Sequence, residues 1–399
     1  MEKNSFEKTT VSGRKKKTVI ILAVCIAAGI LVTSAGISLL AGFLYRMIST
    51  DKPGSAQTSV IPETPTAFEA PPTTEAPPTE APETTEAPGT TEAPAMTEAP
   101  ATTEPPAENS TGGPFPLGMS SCNKYMGEAF FASLAKNGIP YVEISPGKTQ
   151  YYSIDFTGLS ALADKYGVTL WSIHLPYSPV SQVDISSTDE VKRQMSVSFD
   201  AEIIRKAAAV GIRVMVVHPC GEKVTEEERP ARMEAAKKSL AYLAETAAQY
   251  NAVIAVENMP YSTYLGYNSE DLLQLLEADS RLFICYDTNH LLQEDPIHFL
   301  EAVGNKIVTL HVSDCNGKYD NHWLPGEGVI DWYALYTALQ RTGYRGPWLY
   351  EVSYEPTEYR PRIRALTAED FARNAREIYE GLPLTVLPLE EKEEETTTQ

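Results

Sequence analysis

The chain has 399 residues, 43% of them hydrophobic and 22% charged, and its 53 acidic and 33 basic side chains give a formal net charge of −20 at pH 7. That length allows two or three domains, while the acidic balance argues against a nucleic-acid partner, which is normally held by a basic surface. Five cysteines without any CxxC spacing give no sign of a thiolate metal site or a disulfide scaffold.

Residues 1–17 are polar and basic, with Arg14, Lys15, Lys16 and Lys17 in succession, and read as a cytoplasmic tail. From Thr18 to Leu44 no residue is charged, a run longer than the ~20 residues that span a bilayer. Residues 18–46 are therefore predicted to form a transmembrane signal-anchor helix. Lys3, Lys8 and the basic quartet precede it, and only Arg46 and Lys52 follow closely. This bias keeps the N-terminus in the cytoplasm and places the rest outside, on a single-pass protein of the cell membrane. A cleaved signal peptide is the rival reading, but its apolar region is normally ~7–15 residues. Cys25, in LAVCIA, follows a valine that suits no lipoprotein cleavage site and reads as membrane-buried.

Residues 47–114 are dominated by a recurring TEAP phrase with almost no large apolar side chain. Such a segment cannot offset its ordering entropy by burial, and its proline density favours an extended stalk. Residues 386–399 end in LEEKEEETTTQ and read as an acidic disordered tail.

Between these lies 115–385, the length of one barrel domain. Short apolar runs alternate there with helical periodicity. The candidate strands are 115–120, 141–145, 169–174, 213–218, 252–257, 282–287, 306–311 and 347–352. The longest candidate helices cover 186–211 and 226–251. Near-continuous apolar strands separated by helices indicate a parallel sheet covered on its outer face, and eight such units indicate a (β/α)8 TIM barrel.

The strand ends carry the chemistry. The third strand ends at His174, the fourth at His218, the fifth at Glu257 and the sixth at Asp287, within YDTNH, which also brings His290. The seventh ends at His311 and the eighth near Glu351. In a parallel barrel all these ends share one rim. The stretch HVSDCNGKYDNHWLPGEG (311–328) then adds Asp314, Asp320 and His322, and Asp320 and His322, two apart, can aim the same way from an extended backbone. Singly, each residue is more often a core histidine, a helix cap or half of an ion pair. Together they take in five of the chain's six histidines, leaving His298 as a structural one. Mixed His/Asp/Glu ligation without thiolate suits Zn²⁺, Mn²⁺, Co²⁺ or Mg²⁺. Cys122, Cys220, Cys285 and Cys315 read as small buried residues.

The series IHLP, VVHP, AVEN, YDTNH, LHVSD, DNHWLPGEGVIDW and YEVS resembles the xylose-isomerase-like TIM-barrel superfamily. That group includes sugar isomerases and epimerases, inositol-catabolism proteins and the family-two apurinic endonucleases. The resemblance implies one divalent ion on Glu257, Asp287, His311 and Glu351, with the two glutamates as an acid/base pair and His218 and His290 touching sugar hydroxyls. In the endonuclease pattern His174, His218, His290, Asp320 and His322 join them around three zinc ions, so one ion is expected and up to three have candidate ligands. The arginine that epimerases carry shortly before the Pro-Gly turn has no counterpart here. Trp171, Tyr177 and Trp323 lie near the predicted rim and, with Asn258 and Glu327, are expected to contact substrate.

These readings make the protein a membrane-anchored, extracytoplasmic, metal-dependent isomerase or epimerase of a free sugar or polyol. A trinuclear phosphodiesterase or hydrolase of the apurinic-endonuclease type is the alternative. Residues 115–385 carry 24 Lys/Arg against 35 Asp/Glu, which disfavours DNA as its substrate. A non-catalytic carbohydrate-binding ectodomain is the third possibility.

Overall fold

The structure, a computed structural model, describes residues 113–179 and 181–390. The strands are β1 (Leu117–Ser120), β2 (Tyr141–Ile144), β3 (Thr169–His174), β4 (Val214–Val217), β5 (Val253–Glu257), β6 (Leu282–Asp287), β7 (Ile307–His311) and β8 (Trp348–Tyr350). The helices that follow them in turn are α1 (Glu128–Lys136), α2 (Phe156–Tyr166), α3 (Glu190–Ala209), α4 (Arg229–Ala248), α5 (Ser269–Leu276), α6 (Pro296–Val303), α7 (Trp332–Arg341) and α8 (Ala368–Glu380). All neighbouring strands are parallel, in the order β7-β6-β5-β4-β3-β2-β1-β8. The two ends of this sheet meet just past β7, where Val312 pairs with Tyr350. The Val312 N–H donates to the Leu349 carbonyl at 2.8 Å, and the Glu351 N–H donates to the Val312 carbonyl at 3.1 Å. The result is the (β/α)8 barrel that the alternation of strands and helices predicted.

Strand side chains point alternately to the two faces, and burial sorts them into two cores. Met215, Val217, Ile254, Val256 and Ile284 pack outward against helix residues such as Ile203, Ile204, Leu240 and Leu243. Fully burying each such aliphatic side chain contributes about 1.5–3 kcal/mol. Val214, Val216, Val253, Ala255, Phe283 and Cys285 form a separate inner cluster that fills the barrel. Counting upward by two from this inner set gives His218, Glu257 and Asp287. The pleat that buries valine lower in the barrel thus delivers an imidazole or carboxylate at the rim.

Several acidic residues in the loops that follow the strands have a different task. Asp189 accepts the backbone N–H groups of Val191 and Lys192, Asp295 those of Ile297 and His298, and Asp331 that of Ala334. They cap helices, as short acidic side chains at N-termini do. His298 sits exposed on α6 with its Nδ1 2.8 Å from Glu294, outside the barrel mouth as expected.

The expected disorder from residue 386 is corrected at its start. Leu387 is buried, Leu389 pairs with Arg362, and the Ile363 N–H donates to the Pro388 carbonyl at 3.0 Å. An apolar VLPL phrase precedes the charge run and supplies the contact that acidic residues could not. The predicted anchor at 18–46 and nearly all of the predicted stalk lie outside the described residues. Among the described residues no helix is long and apolar enough to cross a membrane.

Candidate metal centre at the barrel mouth

Glu257, at the end of β5, is the hub. Its Oε2 lies 3.2 Å from His174 Nε2 and 3.2 Å from His218 Nε2. Its Oε1 lies 3.1 Å from His311 Nδ1 and 3.5 Å from His290 Nδ1. His311 Nδ1 is also 3.0 Å from Glu351 Oε2 and 3.9 Å from Asp287 Oδ2. One ligand atom each from Glu257, Asp287, His311 and Glu351 fall within 4.8 Å of one another. The same holds for His174, His218 and Glu257, and for His290, Asp320 and His322. All nine expected ligand-type side chains therefore converge, in three sets, two of which share Glu257.

Buried charge of this density needs compensation. Burial pushes the Asp287 carboxyl up to about 7; His290 opposes the rise and the Glu257 carboxylate adds to it. Asp287 Oδ2 is buried without a hydrogen-bond partner, although it lies 3.7 Å from His290 Nδ1. Burial works against the charge of Glu351 too, yet His311 and His322 hold its carboxyl down at about 2. An orphaned oxygen among imidazoles and carboxylates is what a divalent cation would satisfy, and the hard oxygen and imidazole donors suit one. The residues present fit the ion. Cys285 Sγ also approaches Glu257 and His311, but burial raises its thiol well above the usual range, the inert state of a core cysteine. The four described cysteines form no disulfide.

The 312–331 loop is held by Asp314. Its carboxylate accepts from the backbone of Cys315 (2.8 Å), Gly326 (2.9 Å), Gly328 (3.0 Å) and Ile330 (3.2 Å) and from the Trp332 indole (2.9 Å). Gly328 is obligatory, because a Cβ there would collide with the Cys315 carbonyl and with Asp314. His322 adopts φ 50°, a left-handed conformation costly for a bulky residue. That turn brings His322 Nε2 to 2.9 Å from Asp320 Oδ1, and Asn289 Nδ2 donates to the same carboxylate.

Three expected substrate contacts are corrected. The register slips between β2 and β3 beside Val142 and Glu143, which turns Trp171 into the barrel. Its indole donates to Thr309 Oγ1 at 3.1 Å across the interior, packed on the inner cluster. Asn258 is fully buried; its amide donates to the Asp287 carbonyl at 2.9 Å and accepts the Asp287 N–H at 2.8 Å, stitching β5 to β6. Glu327 is paired with Arg362, whose Nε donates to Oε1 at 2.8 Å, both side chains being 0% exposed. Glu327→Gln is expected to destabilise the fold by about 3–5 kcal/mol, the penalty for leaving a buried guanidinium unpaired, and a urea unfolding midpoint measures it.

Tyr177 does sit at the rim, its ring centroid 5.0 Å from that of His174 and 4.7 Å from that of His218. Trp323 follows His322 and is covered by Arg360, whose guanidinium carbon lies 5.3 Å from the ring centre. One site residue escaped the sequence reading. Glu143 on β2 is 0% exposed and places Oε2 3.1 Å from His311 Nε2. Its strand runs on through Ile144, so the glutamate is not its terminal residue. Its signal was its parity, one inward step above Tyr141.

A closed parallel barrel with a histidine and carboxylate crown on its strand ends defines a class. Residues 131–375 match the model of the xylose isomerase-like TIM barrel family, and the chain belongs to that family. An uncharacterized protein of Methanocaldococcus jannaschii is 26% identical over 208 residues, covering 51% of this chain and 82% of that protein. Fructoselysine 3-epimerase of Escherichia coli O157:H7 is 30% identical over 123 residues, which are 28% of this chain and 45% of that enzyme. The crystal structure of a D-tagatose 3-epimerase-like protein superposes with a TM-score of 0.57 at 24% identity, covering 66% of this chain and 97% of its own; at that identity the likeness is one of fold.

Proposed function

We propose that the protein is a metal-dependent sugar isomerase or epimerase, tethered outside the cell membrane by residues 18–46 and acting on a free sugar or polyol. The observation that carries this reading is the convergence of Glu257, Asp287, His311 and Glu351 at the barrel mouth. These four would hold one divalent ion. When bound, that ion supplies Lewis acidity toward a substrate carbonyl oxygen. The chain's own part is proton transfer at the neighbouring carbon. Both oxygens of Glu257 face imidazoles, and its side chain is 1% exposed. Glu351 is more open, at 14%, and approaches His311 through Oε2. Glu351 is thus the carboxylate better placed to take a proton from substrate and keep it, and Glu257, carrying a proton of its own at the start of the step, would deliver that second proton to the opposite face. General-base help of this kind is worth about 10²–10⁴ in rate. Tyr177, on His174 and His218, offers a flat apolar edge to a sugar ring.

The test is solvent deuterium incorporation into a panel of ketoses by the full chain loaded with Zn²⁺, Mn²⁺, Co²⁺ or Mg²⁺ in turn. Incorporation into at least one sugar is the expected result; none across the panel with metal bound overturns the reading. Glu351→Gln should retain metal at lowered occupancy and lose exchange by about 10²–10⁴. The two further ligand sets, His174–His218–Glu257 and His290–Asp320–His322, favour a second reading as a trinuclear phosphodiesterase. Elemental analysis distinguishes the two: three ions per chain with hydrolysis of a simple phosphodiester would move the assignment there.

A further inference from the structure

His311 is caught between two sets of carboxylates. Its Nδ1 faces Glu257 and Glu351 at 3.1 and 3.0 Å, the side on which the ion would lie. Its Nε2 faces Glu143 Oε2, at 3.1 Å. The Ser172 hydroxyl donates to that same oxygen at 2.8 Å, which leaves Oε2 to act as an acceptor toward the imidazole. Glu143, Ser172 and His311 are all 0% exposed, so no water competes for the Nε2 hydrogen.

From this geometry we infer that Glu143 is a positioning residue for the metal centre: it takes the Nε2–H of His311, fixes that tautomer, and leaves the Nδ1 lone pair aimed at the cation. The inference rests on the reading that Glu257, Asp287, His311 and Glu351 hold a divalent ion. A ligating imidazole commonly donates its other N–H to a carboxylate, which orients the ring and raises its basicity. The arrangement is built across the barrel, from β2 to β7, with Ser172 on β3 steering the carboxylate. It also gives partners to Oε2 of a glutamate buried in the barrel interior, where an unpartnered carboxylate oxygen is costly; Oε1 has no hydrogen-bond partner. Glu143 touches no expected substrate position, so its influence on turnover would pass through His311.

The experiment is a Zn²⁺ titration of the full chain, wild type against Glu143→Gln, Glu143→Ala and Ser172→Ala, with ¹⁵N spectra of the histidine rings in the zinc-loaded protein. Glu143→Gln keeps the side-chain shape but gives Nε2 a weaker acceptor that can present its NH₂ instead. Zinc affinity is expected to fall by about 10–100-fold in both Glu143 variants, less in Ser172→Ala, and the His311 nitrogens to lose the signature of a single tautomer in Glu143→Gln. Wild-type zinc affinity together with an unchanged His311 spectrum in Glu143→Gln would overturn the inference. A circular dichroism melt of the metal-free variants identifies any that fail to fold, and Glu143→Gln alone then decides. Weakened zinc binding in a chain whose wild type exchanges no ketose proton would sink the isomerase reading and leave this one standing.

Discussion

Glu257→Gln is expected to strip the protein of bound divalent metal and to lower turnover by about 10³-fold or more, the combined loss of a ligand and of an acid/base group. The reason is position rather than acidity alone. The two oxygens of Glu257 reach both walls of the mouth, toward His174 and His218 on one side and His311 on the other. An amide has a single good acceptor and cannot serve both. The three imidazoles would then face one another, with ring centroids 4.8 Å apart for His174 and His218 and 5.9 Å for His174 and His311. The substitution is isosteric, so the fold should survive in a metal-free form. Elemental analysis of the purified variant is the readout. Wild-type metal content would show that Glu257 does not bind the ion, and would overturn the proposed assignment of both its roles.

Asp314→Ala is the second large effect. One carboxylate there gathers four backbone N–H groups and an indole N–H, and hydrogen bonds to a charged acceptor are each worth about 1.5–3 kcal/mol. These contributions do not add, and the net loss is expected on the order of 3–5 kcal/mol, read from the shift of a urea midpoint. The loop that loses its anchor also carries Asp320 and His322, the latter in a strained left-handed conformation. The His290–Asp320–His322 set should therefore lose its grip first. If more than one ion per chain is found in the wild type, the variant should lack one and keep the ion nearest Glu257. An unchanged midpoint would mean that the turn is held by its backbone alone.

Much of this was legible in the sequence because a barrel turns chain order into geometry. β3 and β6 have the bounds that the apolar runs TLWSIH and LFICYD predicted. Six of the nine ligand-type residues meet because a parallel sheet sends every strand end to the same face, and His290, Asp320 and His322 join them from the loops after β6 and β7. What the sequence obscured was local. Trp171 was read as a rim residue, but a register slip beside Glu143 alters which way it faces, and no composition rule foresees a bulge. Asp314 and Asp320 are equally plausible ligands on paper, and Glu327 a plausible substrate contact. Only the fold separates them, because Asp314 is encircled by its own loop and Glu327 is claimed by Arg362, 35 residues later. Glu143 is inconspicuous in the sequence because it does not end its strand, whereas the barrel selects for polar inward positions.

The way the sheet closes has a mechanical consequence. Seven pairs of strands are joined by ladders, but β7 and β8 are joined by one bridge, Val312 to Tyr350. The residues on either side of that weak joint are His311 and Glu351, whose side chains approach to 3.0 Å. Whatever cation these two grip would buckle the hoop at its thinnest point. Loading the mouth should then slow amide exchange at Val312 and Glu351 more than at any ladder elsewhere in the wall.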